Sequence, residues 1–143
     1  MPYRYLEGIA IADVAFEAWG QTPEEMIAAA SDATLNIMVR NLDAVRDLDQ
    51  RSFQVEDADI DLLLFQVLQE LIYFKDAERL LLRVRRIQLR QRPGIWTAAI
   101  EAKGETIDPD RHDLIVDVKA ITLHRFQVKQ TGGHWTATVV VDV

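Results

Sequence analysis

The chain has 143 residues, 49% of them hydrophobic, which is enough to bury one sizeable core, so a single domain over residues 1–143 is expected. Its 23 acidic against 16 basic residues give a formal charge of -7, and this argues against autonomous nucleic-acid binding, where a basic footprint supplies most of the affinity. Without cysteine there are no disulfides, thiolate catalysis or sulfur-ligated zinc; with no apolar run of signal-peptide or membrane-span length, a soluble cytoplasmic protein that meets no membrane is expected.

Tyr3 to Leu6 reads as a strand or the lead into one, and Ile11 to Trp19 as the first full strand, closed by Gly20. Alternation puts Val14, Phe16 and Ala18 on one face and Asp13, Glu17 and Trp19 on the other. Thr22, Pro23 and Glu25 then spell a helix start: threonine as cap, proline at the first helical position, glutamate three residues after the cap. The helix should run to about Val39. Met26, Ile27, Ala30, Thr34, Ile37 and Met38 form its apolar stripe, with Glu24, Asp32 and Asn36 facing water. Arg51 to Val55 reads as a strand with Phe53 and Val55 inward. The acidic run Glu56, Asp57, Asp59, Asp61 is placed at the start of a second helix, where negative charge suits the helix dipole; it lacks the central glycine and closing glutamate of an EF-hand loop. That helix, about Ile60 to Lys75, is apolar over most of its circumference and should be largely buried.

Leu80 to Arg92 has strand character, but the pair Arg85 and Arg86 breaks the alternation between Val84 and Ile87, and a bulge there restores both faces. Arg83, Arg86, Arg90 and Arg92 make a basic edge on an acidic chain, either a solvated edge that discourages aggregation or a contact for RNA or an acidic partner. Pro93 and Gly94 make a turn into a strand carrying Trp96, Ala98, Ile100 and Ala102 on one face, ended by Gly104. The loop Glu105 to Asp113 is dense in ionisable groups, including Asp108, Asp110, Arg111, His112 and Asp113. His112, beside an arginine, reads as a surface or hydrogen-bonding residue and not as a general base. Leu114 to Leu123 is expected as a strand with Leu114, Val116, Val118 and Ala120 on one face. Phe126 to Lys129, Gly132–Gly133 and Trp135 onward then read as a hairpin, whose last strand turns Val139 and Val141 to the core and Thr138, Val140 and Asp142 away. Early helices and late strands predict an α+β two-layer sandwich, a mainly antiparallel sheet with two helices packed on one face.

If the first and last strands lie side by side, Asp13 and Asp142 meet on the face away from the core, close to the carboxylate of Val143. Carboxylate oxygens gathered this way repel unless a proton or cation sits between them, and hard oxygens suit calcium, magnesium or manganese. The plain alternative is two solvated strand aspartates, and spacing alone favours it. No phosphate-cradling glycine loop and no nucleophile with an adjacent base stand out, which disfavours an independent hydrolase.

The order of ADVAFEAWG, a leucine-rich helix, DPDRHD, VKAITLH and the ending VVVDV resembles the archease family from about Tyr5 to Val143. The resemblance implies a non-enzymatic protein cofactor of the RtcB-type RNA ligase, which joins RNA ends with GTP and a divalent metal. It speeds ligase guanylylation and allows repeated turnover, and meets RNA only through the ligase. It also implies a metal site, usually calcium, whose ligands carry over onto Asp13, Asp142 and Val143, the last through main-chain or terminal oxygen. A second role implied within the family is that of a chaperone or specificity modulator of an RNA-modifying methyltransferase. Where the family commonly has histidine and threonine before the alanine-aspartate pair, this chain has Ala10 and Ile11. His112, Lys119 and His124 match later retained positions, with second-shell or interface roles at most.

Overall fold

The computed structural model describes residues 2–7 and 13–143. In chain order these form β1 (Tyr3–Leu6), β2 (Val14–Gly20), α1 (Pro23–Met38), a 3-10 turn (Leu42–Ala44), β3 (Asp49–Asp57), α2 (Ile60–Glu78), β4 (Leu80–Arg92), β5 (Ile95–Thr106), β6 (Ala120–Thr131) and β7 (His134–Asp142). The α+β composition and antiparallel pairing agree with the expectation from sequence. The strands divide, however, into two sheets, ordered β1-β2-β7-β6 and β3-β5-β4. The chain changes sheets twice, between β2 and β3 by way of α1 and between β5 and β6 through an irregular segment.

Both helices bind the two sheets together. α1 packs on β2 and β7 of one sheet and on β4 of the other, while α2 packs on β3, β4 and β5 and also on β6. Phe16, Ala18, Val139 and Val141 meet Met26, Ile27, Leu64 and Leu68 in one continuous core. At roughly 25 cal/mol per Å² of apolar surface removed from water, side chains of this size each contribute about 1.5–3 kcal/mol. No helix among the described residues is long and apolar enough to cross a membrane.

The start of α1 follows the sequence reading. Thr22 Oγ1 accepts the Glu25 N–H at 3.1 Å, and the Glu25 carboxylate reaches back to the N–H of Gln21 at 2.8 Å, one residue beyond the usual capping-box partner. The bulge in β4 also lies as expected, the register shifting between Val84 and Arg86. Gly132 and Gly133 both have positive φ (56° and 83°), the backbone that a two-residue turn with the hairpin's own twist requires.

Other expectations are corrected. The first strand begins at Val14; its expected first residues, Ile11 and Ala12, lie outside the described residues, and Asp13 sits in a bend. Glu56 and Asp57 end β3 instead of starting α2, and the Asp59 side chain makes no cap bond. The Asp57 carboxylate accepts the Asp59 N–H instead. α2 buries one face only, leaving Tyr73 and Leu62 exposed. Gly104 lies inside β5: a Cβ there would come within 1.7 Å of the Leu81 carbonyl oxygen, so the glycine permits close strand approach. The strand expected from Leu114 begins only at Ala120, and Leu114, Ile115 and Val116 are exposed. Val140, expected on an open face, is fully buried. Asp32 does not simply face water, since it pairs with Arg83 at 3.0 Å.

Candidate functional site

β2 and β7 are neighbours at the middle of the four-stranded sheet, and their register runs from Gly20↔Trp135 to Val14↔Val141. The ladder ends there, with Asp142 the last residue of β7 and Asp13 in the bend that precedes β2. Apolar alternation positions this end: Phe16 and Val139 are buried under α1, which fixes which residues of each strand face outward. Asp13, Asp142 and Val143 are all half-buried. On the other side of β7, Asp142 pairs with Ala120, and its carbonyl accepts the Lys119 N–H at 2.9 Å. The Val143 side chain packs against the core, so its donor toward this end is main-chain oxygen.

As a donor set, Asp13, Asp142 and a main-chain oxygen are all hard and would suit calcium, magnesium or manganese. They are also few. Among the described residues no group of three or more acidic or histidine side chains is gathered closely enough to hold a metal. An ion there would need further oxygens from water or a partner, since calcium takes six to eight.

A second cluster was not found by reasoning from sequence. Glu105, at 5% side-chain exposure, receives the Arg46 main-chain N–H at 2.6 Å and the Arg46 guanidinium at 3.1 Å. Arg111 and His112 Nε2 converge on the same carboxylate. Burial alone would raise the pKa of Glu105, but the bonds from Arg111, Arg46 and His112 outweigh it and hold it down to about 2. His112 Nδ1 accepts the Asp108 N–H at 2.9 Å, so Nε2 carries the proton and faces Glu105 Oε2 at 3.2 Å. The imidazole is fully engaged and buried, which removes it as a general base and agrees with a hydrogen-bonding role. Glu105 and Arg46 lie far apart in sequence, which is why only the fold reveals their contact.

Lys75 was also missed. Its ammonium is 5% exposed and donates to Asp117 Oδ1 at 2.5 Å and to the Val118 carbonyl at 2.6 Å, with Asp76 at 2.8 Å. It pins the irregular 114–119 segment onto α2, directly before the Lys119–Asp142 contact. The signal was present in the sequence: Lys75 continues the apolar row Leu64, Leu68, Leu71 at helical spacing.

A family model described as the Archease protein family (MTH1598/TM1083) matches residues 3–143. The chain belongs to the archease family. Its relatives include the Protein archease of Methanopyrus kandleri, 32% identical over 143 residues and covering all of both chains. The Protein archease of Pyrococcus furiosus is 31% identical over 133 residues, 92% of this chain and 93% of that one. The solution structure of Methanobacterium thermoautotrophicum protein 1598 superposes with a TM-score of 0.85 at 24% identity, covering 99% of each chain. The crystal structure of an archease from Thermotoga maritima, described as a possible chaperone, gives 0.60 at 17% identity, covering 98% of this chain and 100% of that one. Both structures share the archease fold with this chain. ADVAFEAWG contributes β2, DPDRHD holds His112 of the Glu105 cluster, and VVVDV ends β7.

Proposed function

We propose that this archease-family chain is a non-enzymatic protein cofactor of a GTP-dependent RtcB-type RNA ligase in the cytoplasm, holding a divalent cation, calcium in the first instance, through Asp13, Asp142 and main-chain oxygen of Val143. The observation that supports the reading is the β2–β7 ladder, which ends at Val14↔Val141, one residue from both Asp13 and Asp142. Family membership and the oxygen-only chemistry of the donors support it. A cation held there would help neutralise phosphate charge during guanylylation of the ligase. The chain's own part is to present two carboxylates next to the end of the β2–β7 ladder and to leave the remaining coordination positions to the ligase or its nucleotide. With a net charge of -7, the chain meets RNA only through the ligase.

The test is ligase guanylylation with and without this chain, alongside calorimetric titration with calcium and magnesium. Asp13→Ala and Asp142→Ala are expected to melt like the parent yet to lose saturable cation binding and most of the stimulation. Normal stimulation by both variants overturns the reading. A second reading, a chaperone or specificity modulator of an RNA-modifying methyltransferase, is favoured by exposed Leu114, Ile115 and Val116 beside Met38, Leu81 and Ile107. It predicts suppression of client aggregation that is indifferent to both aspartates and to added cation.

A further inference from the structure

The outer face of the β3-β5-β4 sheet carries charge that no other described residue neutralises. On the first half of β4 the arginines are paired, Arg83 with Asp32 at 3.0 Å and Arg85 with Asp47 at 2.9 Å. Beyond the bulge the pattern changes. Arg86, Arg90 and Arg92 make no ion pair with any described residue, although the chain has 23 carboxylate side chains to offer. The bulge turns these three, with Gln88, onto one exposed face. Register then aligns three polar rows across the strands. Arg86 stands opposite Glu101 and Ser52, Gln88 opposite Ala99 and Gln54, and Arg90 opposite Thr97 and Glu56. Between the rows run two adjoining shallow grooves of about 410 and 310 Å³, which share Gln54, Gln88 and Ala99. Glu101 leans to Lys103 at 4.0 Å, leaving the Arg86 guanidinium free.

Edge protection alone accounts for charge on β4, but not for donors arranged across three strands around a groove. We propose that this face is a docking surface for an acidic protein segment in extended conformation, with a carboxylate at every second residue. Side chains two apart in a strand lie about 6.8 Å apart and point the same way, which is the spacing of Arg90 and Arg92; Arg86 lies two such steps from Arg90. Planar guanidinium groups take carboxylates in paired hydrogen bonds, and the amides of Gln54 and Gln88 can serve the segment's main chain. The strip is short, about 20 Å from Arg86 to Arg92. The groove offers no exposed aromatic ring for base stacking, and Glu56 and Glu101 lie within it. A protein segment needs no stacking ring, and a run of only a few alternating carboxylates fits a strip of this length. This inference goes beyond the ligase reading and uses none of its residues.

The test is fluorescence anisotropy with a fluorescein-labelled peptide of nine residues alternating glutamate and serine, a glutamine-serine peptide as control, and a single-stranded RNA of twelve nucleotides as competitor. The glutamate peptide is expected to bind saturably and more weakly as salt rises. Arg86→Glu with Arg90→Glu should weaken binding by about tenfold or more, while Lys129→Glu on β6 stays within about twofold. If the double reversal does not fold, Arg86→Gln with Arg90→Gln, which keeps the polar surface, should still weaken binding at least threefold or so. Unchanged binding by a folded double variant overturns the inference, as does equal binding of the glutamine peptide or no saturable binding of the glutamate peptide. Displacement by RNA at lower concentration than unlabelled peptide also overturns it and makes nucleic acid the occupant.

Discussion

Replacing Glu105 by glutamine keeps the shape of the side chain and removes its charge from among Arg46, Arg111 and His112. The pKa is held down to about 2 from an ordinary 4.5. At about 1.4 kcal/mol per pKa unit, ionised Glu105 contributes up to about 3 kcal/mol of stability at neutral pH. Arg46 keeps 57% and Arg111 33% of its side-chain exposure, so after the substitution water resolvates both cations. That sets the expected loss nearer about 2 kcal/mol than the 3–5 of a fully enclosed pair. For a domain of this size the loss corresponds to a melting temperature lower by roughly 6 °C. The sign with pH follows from the depressed folded-state value. The contribution is fully present above the unfolded pKa and is lost as pH falls from about 4.5 towards 2. Thermal melts of both proteins from pH 7 downward should therefore differ most at neutrality and converge at the acid end. A variant that melts with the parent at pH 7, or a difference that stays constant through the acid range, would refute the assignment of that stability to the charge on Glu105.

Gly104→Ala would place a methyl 1.7 Å from the Leu81 carbonyl oxygen, main chain against main chain, so neither strand can yield cheaply. We expect a loss of about 3 kcal/mol or more, read as a lower urea midpoint. Lys75→Met refills the methylene space but leaves the Val118 carbonyl without its donor, costing about 1–3 kcal/mol. Amide exchange should speed up across residues 114–119 while the β2–β7 ladder keeps its protection, and equal exchange in variant and parent would show that Lys75 does not hold that segment.

Features whose cause is local were legible in the sequence. The Thr22-Pro23-Glu25 cap, the bulge forced by adjacent Arg85 and Arg86, and the Gly132–Gly133 turn each depend on a few neighbouring residues, and each lies where expected. Period-two alternation also matched the inward set Ala98, Ile100 and Ala102. What failed depended on contacts across the fold. Leu114 to Val118 alternates like a strand, yet main-chain bonds from Ile115 to Met38 and the Lys75 clamp hold it as an irregular crossing between sheets. Gly104 looks like a terminator, and only the approach of Leu81 shows why β5 needs it mid-strand. Of the candidate site, the pairing of the first full strand with the last was legible, and it puts Val14 opposite Val141. The Glu105 cluster was not, since Arg46 reaches it from far along the chain.

The pairing of β2 with β7 has a consequence during synthesis. Even the nearest partners, Gly20 and Trp135, are separated by about 115 residues. At ribosomal speeds of about 5–20 residues per second, β2 waits roughly 6–23 s for the strand that completes its sheet. Until then Phe16 and the apolar side of α1 have no β7 to cover them on the nascent chain. Emergence of β7, more than emergence of any helix, sets the moment when this sheet can close.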